Sequence, residues 1–235
     1  MRIESITLQK KSSEMIGERV GSLDEHKVNP HYMDGVIPTI AAVTVGFLFP
    51  KFRLGALVGL AQLLPQAPII AAVMPGLSEE PFYKEILSGN ALIGCVFVPV
   101  FEEVIFRIFL ESGIQRISEM AFSSSIVMLP FGIPLSSATL ATILISSAIF
   151  GFVHVFNEHK LTHLQAVHAF VGGVAYSFLN RGVGLEAACA GHIMNNSAIL
   201  LPLRFWKSCV SEQEEALEGK QAPSQTGAEF RERLL

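Results

Sequence analysis

The run from Ala91 to Leu110 constrains the fold most, because it places charged side chains inside an otherwise apolar segment. Its only charged residues are Glu102, Glu103 and Arg107. A charged side chain near the middle of a bilayer is costly, so it is rare there and usually faces a partner or a water-filled cavity. Three such residues in one helix-length run indicate a polar site within the membrane, with an inert buried ion pair as the simpler alternative.

Helical spacing separates the roles of these three residues. Glu103 and Arg107 are four residues apart and share a face of a helix, so they can pair with their charges held inside the protein. Glu102 lies roughly 140° around the helix from Arg107. It is therefore the carboxylate that remains available for another task, such as holding a water molecule.

Composition sets the fold class that surrounds this run. Of the 235 residues, 50% are hydrophobic and 16% are charged, whereas soluble domains carry about 25% charged residues. We therefore predict an all-α protein, a polytopic transmembrane helical bundle of about six to eight spans, with the lipid bilayer as its main partner. The net charge of −4 and the lack of a Lys/Arg-rich run argue against a nucleic-acid partner.

Helix-length apolar runs divide the chain, since a span needs about 20 residues. The predicted spans lie near residues 35–50, 54–74, 90–110, 136–155, 163–180 and 184–204. Residues 120–135 are uncharged and contain Pro130 and Pro134, so we expect a re-entrant segment or a short broken helix there. The distribution of Lys and Arg over the loops places both termini in the cytoplasm.

Polar segments flank the predicted transmembrane domain, which covers residues 35–206. Residues 1–34 have mixed charge and lack the apolar core of a signal peptide, so we predict a polar N-terminal extension. Residues 207–235 are predicted to form a polar C-terminal tail that is solvated or disordered. The three cysteines are scattered and suggest neither a disulfide framework nor a zinc site.

Two further polar sets occur in apolar runs. His154 ends the run near 136–155, and Phe150 stands one turn before it. In the last apolar run, His192 and Asn196 are four residues apart and share a helical face. Two donors projecting into a cavity suit a developing oxyanion, where one donor is worth about 3 kcal/mol. The alternative is an interhelical hydrogen-bonding pair worth about 1 kcal/mol.

Other polar positions have simpler explanations. His159, His163 and His168 raise the possibility of a metal, but there is no His-Glu-x-x-His pattern, so we expect no cofactor and keep zinc as the alternative. Glu186 follows a Gly-Leu pair, where an acidic residue favours a helix N-terminus. The small residues at 172–175 permit close helix packing.

Taken in order, the polar sets resemble the three motifs of the CPBP intramembrane protease family. That family includes the type II CAAX prenyl endopeptidases, which are also called Rce1-like, and the bacteriocin-processing or self-immunity proteins called Abi. The resemblance covers about residues 90–200. The matching sets are Glu102-Glu103-x-x-x-Arg107, Phe150-x-x-x-His154 and His192-x-x-x-Asn196.

The resemblance implies a division of labour among the motif residues. Glu102 would activate a water together with His154, and His192 and Asn196 would stabilise the oxyanion of the tetrahedral intermediate. The second glutamate and the arginine of the first motif would shape the site and balance its charge. Peptide hydrolysis requires a base within about 3 Å of a water and donors aimed at the carbonyl oxygen.

The function predicted from the sequence is therefore an intramembrane endopeptidase. By the resemblance, its substrate is a peptide or a lipidated protein near the membrane, with prenylated CAAX proteins as the best-known type. The compact chain favours a prokaryotic plasma membrane. One alternative is a self-immunity or scaffold protein with little or no protease activity, and another is a transporter that uses the same charged residues as a proton relay.

Overall fold

The computed structural model describes residues 32–65, 81–122, 125–129, 133–157 and 162–221. All of these belong to one compact unit, residues 31–235. The predicted N-terminal extension lies outside the described residues, apart from residues 32–34.

Helices dominate the described residues, which confirms the predicted helical class. Helix α4 is a continuous run made of Ile93–Phe97, Val98–Glu103, Val104–Leu110 and Glu111–Ala121. The other elements, in chain order, are α1 (Val36–Gly46), α2 (Pro50–Leu63), α3 (Pro81–Ser88), β1 (Ile126–Met128), β2 (Pro134–Ser136), α5 (Ser137–Val153), α6 (Thr162–Gly182) and α7 (Leu185–Gln221).

Helix α4 carries the charged run and is not a regular α-helix. Its segments Ile93–Phe97 and Val104–Leu110 are π-helical. Pro99 follows the first of them, and a proline inside a helix loses one backbone hydrogen bond and crowds the carbonyl four residues before it. The wider π turn accommodates that ring. Such turns are frequent at functional sites, and here they flank the segment that ends with the two glutamates.

Helices α2 and α7 cross at very close range. A Cβ atom at Gly55 would lie 2.0 Å from the carbonyl oxygen of Ala187, and one at Gly59 would lie 2.1 Å from that of Gly191. Two glycines four residues apart are a common device for bringing helix backbones together. This contact fixes the part of α7 that leads directly into His192.

Ser136 caps the N-terminus of helix α5, and its Oγ accepts a hydrogen bond from the backbone N–H of Thr139 at 3.1 Å. That side chain satisfies one of the otherwise unpaired donors at the helix start. Helix α6 packs against α5, where a Cβ at Gly173 would lie 3.1 Å from the Cβ of Ser147. The close packing expected of the small residues at 172–175 is therefore present at this position.

A pair of short strands connects α4 to α5. Strands β1 and β2 are antiparallel, with Val127 opposite Leu135. The described residues of this region pair as strands, so the expectation of a short broken helix is wrong, whereas the re-entrant segment stays a prediction. Proline disfavours helix continuation, while it is tolerated at the first residue of a strand, where Pro134 lies.

Within the described ranges, one helical stretch, Ser137–Phe156, is long and apolar enough to cross a membrane. A second crossing is counted if α1 and α2, which are bent by 118° at their junction, act as one broken span. The described helices therefore account for one or two spans by length and composition, fewer than the six to eight predicted. Helix α7 continues to Gln221, into the stretch predicted as a polar tail.

Candidate active site

A cavity of about 350 Å³ collects most of the predicted site residues. Its walls include side chains from α4, from the short helical turn after α5, and from α6 and α7. Four predicted residues line it, namely Glu102, His154, His192 and Asn196. Glu103 and Arg107 are buried. They connect to the cavity through His192, which contacts Glu103. The structure thus brings together all six predicted site residues.

His192 lies between the two adjacent glutamates. Its Nδ1 is 3.0 Å from Oε1 of Glu103, and its Nε2 is 3.5 Å from Oε2 of Glu102. Glu103 is fully buried, whereas the side chain of Glu102 is 29% exposed. The two carboxylates therefore have different environments, and Glu102 is the one that reaches the cavity.

Glu103 is the first member of a series of side chains with alternating charges, which we call the ladder. Nε of Arg107 donates to Oε2 of Glu103 at 2.9 Å, the pair that helical spacing predicted. Nη1 of Arg107 donates to Oε2 of Glu111 at 3.2 Å and to Oγ of Ser177 at 2.5 Å. Nε of Arg181 then donates to Oε1 of Glu111 at 2.7 Å. Each buried charge in the ladder thus contacts one of opposite sign, as buried ions require.

The far half of this ladder was not predicted. Glu111 stands four residues after Arg107, so the spacing rule that found the first pair also indicates the second. Ser177 and Arg181 belong to α6, and no local pattern in the sequence predicts that they reach α4.

Aromatic rings fix the orientation of the imidazoles. The ring of Tyr176 stacks on that of His192, with centroids 5.2 Å apart and planes inclined by 19°. The hydroxyl of Tyr176 donates to Oε1 of Gln62 at 3.0 Å. Phe150 presents T-shaped contacts to His154 at 4.9 Å and to His192 at 5.8 Å. Glu103 therefore fixes one nitrogen of His192 by a hydrogen bond, and Tyr176 fixes the orientation of the ring plane by stacking.

His154 follows the last residue of α5 and begins a short 3-10 turn, His154–Phe156. Its Nδ1 donates to the backbone carbonyl of Phe150 at 2.8 Å. In a neutral imidazole this leaves Nε2 as the unprotonated nitrogen. His154 therefore has the form that a proton acceptor requires.

The two adjacent asparagines of α7 also line the cavity. Nδ2 of Asn196 makes a long contact of 3.5 Å to the carbonyl oxygen of Gly94. Nδ2 of Asn195 donates to Nε2 of His168 at 3.0 Å. Neither Asn195 nor the role of His168 in the cavity was predicted.

The described residues do not form a metal site. No three His, Cys, Asp or Glu side chains among them come close enough to share an ion. His168 is bonded to an amide, both nitrogens of His192 face carboxylates, and His159 lies outside the described residues. Glu186, at the start of α7, pairs instead with exposed Lys51 at 3.4 Å.

A helical chain with a carboxylate, two imidazoles and an amide around one cavity has the groups of a hydrolase that activates a water. The chain matches the family model of the type II CAAX prenyl endopeptidases, Rce1-like, over residues 61–198, which is more than half of its length. It belongs to that family, whose members are integral membrane proteins. No curated protein and no solved structure gives a significant match.

Proposed function

We propose that this protein is an intramembrane endopeptidase that hydrolyses a peptide bond of a membrane-associated substrate. The observation that carries the proposal is the position of His192 between Glu102 and Glu103, beside a cavity that also contains His154 and Asn196. Family membership supports the protease class. The catalytic roles below go beyond that membership and rest on the geometry.

Glu102 and His154 activate the water in this proposal. Glu102 is the partly exposed carboxylate at the cavity. His154 contributes an unprotonated Nε2, since its Nδ1 is bonded to Phe150. Glu102 takes a proton from a water between these two groups as the water oxygen attacks the substrate carbonyl carbon. The same proton then passes to the leaving nitrogen as the C–N bond breaks. A positioned base of this kind typically contributes about 10²- to 10⁴-fold in rate.

His192 and Asn196 stabilise the oxyanion. The Nδ1 proton of His192 is directed to Glu103, so its Nε2 donates only when the ring carries both protons. A cationic ring between two carboxylates is electrostatically compensated, and Arg107 holds Glu103 in place for it. The amide of Asn196, one turn further along α7, supplies the second donor. Each such donor is worth about 10²- to 10³-fold in rate.

The surface of the described residues supports a membrane location. Large apolar side chains are strongly exposed on several helices, including Ile37 at 79%, Leu57 at 61% and Phe109 at 69%. Removing apolar surface from water is favourable, so exposed apolar side chains of this kind suit a lipid environment. We assign these faces to lipid, in a bundle of six to eight spans in a prokaryotic plasma membrane with both termini in the cytoplasm.

The proposed substrate is a lipidated protein cut near its C-terminus, with prenylated CAAX proteins as the first choice because of the family. One side of the cavity is apolar and includes Val98, Ile199 and Leu200, which suits an apolar substrate group. A self-immunity or scaffold role without catalysis gives no reason for a complete set of motif residues around one cavity. We therefore do not favour it. The proposed steps use no metal ion.

The test is cleavage of a farnesylated CAAX peptide by the purified protein in detergent, followed by mass spectrometry, with the unprenylated peptide alongside. We expect the wild type to cut the farnesylated peptide and Glu102→Gln to be slower by about 10²- to 10⁴-fold. Glu119→Gln is the matched control, because it makes the same change at an exposed site on α4. If wild type and Glu102→Gln cut equally well, Glu102 is not the base. If the wild type cuts neither peptide, the CAAX assignment is wrong.

A further inference from the structure

The cavity has a second polar wall that none of the three motifs contains. It is made of three carboxamides and one imidazole, and we call it the amide wall. Its members come from the end of the short turn after α5, from α6 and from α7. They are Asn157, Gln165, His168 and Asn195.

Hydrogen bonds within the wall orient its side chains. Nδ2 of Asn157 donates to Oε1 of Gln165 at 2.9 Å. Nδ2 of Asn195 donates to Nε2 of His168 at 3.0 Å. The backbone carbonyl of Asn157 in turn accepts a hydrogen bond from the hydroxyl of Thr162, at the start of α6. The wall therefore consists of two hydrogen-bonded pairs, and each bond orients the amide that donates it.

One buried acceptor in the wall has no partner. Asn195 is 5% exposed, and its Oδ1 makes no hydrogen bond within the described part of the chain. A buried carbonyl without a partner is costly, and such groups are uncommon in native proteins. Asn195 directly precedes Asn196, so it lies beside the proposed oxyanion donor.

We infer that the amide wall binds the main chain of the substrate peptide next to the bond that is cut. This inference rests on the proposed function. A carboxamide has the same donor and acceptor groups as a peptide bond, so it can pair with a backbone N–H and C=O whatever the neighbouring side chains are. The wall carries no carboxylate, ammonium or guanidinium, and therefore does not select charged side chains.

Apolar side chains also line the cavity. Val98, Ile199 and Leu200 offer no side-chain hydrogen bond, so they suit the apolar part of a substrate. A peptide that enters this cavity loses water from its backbone groups, and unpaired groups would cost binding free energy. The amide wall is where the described side chains can replace that water. Glu102, on α4, lines the same cavity and would face the bond held there.

The test combines variants with backbone-modified peptides. Gln165→Met and His168→Phe remove hydrogen-bonding groups of the wall at similar side-chain volume. Gln115→Met and His163→Phe are the matched controls, because both residues lie outside the lining of the cavity. A cleaved peptide is also made with a single N-methyl group at each backbone nitrogen near the cut in turn. We measure KM and kcat for each pair, and thermal unfolding of each variant in detergent.

We expect Gln165→Met and His168→Phe to raise KM by about 10-fold, with kcat within about 2-fold of wild type. One N-methyl position should raise KM of the wild type by a similar factor and should add little in the variants, because the same hydrogen bond is already lost. The control variants should respond to every peptide as the wild type does.

Two results would overturn the inference. If the wall variants keep the wild-type KM, or if their effects multiply with those of every N-methyl group, the wall does not contact the substrate backbone. Lower thermal stability with an unchanged KM would assign it to helix packing alone. If the wild type cuts no peptide at all, the proposed protease function fails first and this inference fails with it.

Discussion

Two buried arginines of this protein have partners of different kinds. Arg107 is 2% exposed and its hydrogen bonds go to the carboxylates of Glu103 and Glu111 and to a serine hydroxyl. Arg204 is fully buried and donates to backbone carbonyls, those of Tyr32 at 3.2 Å, Gly89 at 2.7 Å and Ile86 at 2.6 Å. Arg107 is part of the ladder of alternating charges, whereas Arg204 links separate backbone segments by hydrogen bonds.

The difference shows that a buried charged residue in an apolar helix does not by itself identify a functional site. The ladder of Arg107 ends on Glu103, whose second oxygen contacts His192 at the cavity. The contacts of Arg204 end on the backbone around α3 and before α1. We therefore expect changes at Arg107 to affect catalysis, and changes at Arg204 to affect mainly the stability of the fold.

The largest effect is expected for Arg107→Gln. It leaves the buried carboxylates of Glu103 and Glu111 without their shared cation, so stability falls by about 3–5 kcal/mol. Cleavage by the folded fraction falls by about 100-fold or more, because Glu103 no longer holds His192. Chemical unfolding in detergent and peptide cleavage measure the two effects. Adding Glu111→Gln should restore part of the stability and none of the activity; recovery of activity would contradict the ladder's role.

Arg204→Gln is the matching change at the other arginine. It leaves backbone carbonyls without their donors, so we expect a loss of about 2–4 kcal/mol of stability. The folded fraction should cleave the substrate within about 3-fold of wild type, measured at a temperature well below its unfolding transition. An activity loss as large as that of Arg107→Gln would remove the distinction between the two arginines.

Glu111→Gln tests whether a member of the ladder that contacts Arg107 but not Glu103 still affects catalysis. The glutamine oxygen can still accept from Arg107 and Ser177, but the negative charge is gone. We expect cleavage to fall by about 10-fold, mainly in kcat, with a stability loss of about 1–2 kcal/mol. Steady-state kinetics on peptides of different length separate kcat from KM. If this variant has wild-type kinetics, Glu111 does not contribute to catalysis, and the functional part of the ladder ends at Arg107.

The smallest effect is expected for Arg181→Gln. The side chain of Arg181 is 29% exposed, so water partly screens its pair with buried Glu111, which also keeps its contact with Arg107. We expect a stability change below about 1 kcal/mol and activity within about 2-fold, by the same two assays. If Arg181→Gln loses more stability or activity than Glu111→Gln does, Arg181 is the residue that holds the rest of the ladder in place.

The sequence predicted the near half of the site well, because helical spacing and hydropathy are local properties. The pairing of Glu103 with Arg107 and the placement of Glu102 at the cavity follow from positions on one helix. The stacking of Tyr176 on His192 depends on how α6 meets α7, which no local pattern encodes.

The same limit applies to the fold. Apolar runs located the helices, and the family motifs located the helices that meet at the cavity. The strands β1 and β2 were missed because short apolar segments next to proline fit either state. Arg204 stands at the end of the predicted span 184–204, where hydropathy gives no sign that it is buried. Its burial follows from the close approach of α7 to the backbone at Ile86 and Gly89.

The most direct test of the site is to measure binding and cleavage on the same preparation of Glu102→Gln. A fluorescent farnesylated CAAX peptide is titrated into the variant for its Kd, and then followed in a single turnover with the enzyme in excess. We expect Kd within about 3-fold of wild type and a cleavage rate lower by about 10²- to 10⁴-fold, as for a base that acts on water. Undiminished cleavage, or loss of binding and cleavage together, would contradict the assignment of Glu102 as the residue that activates the water.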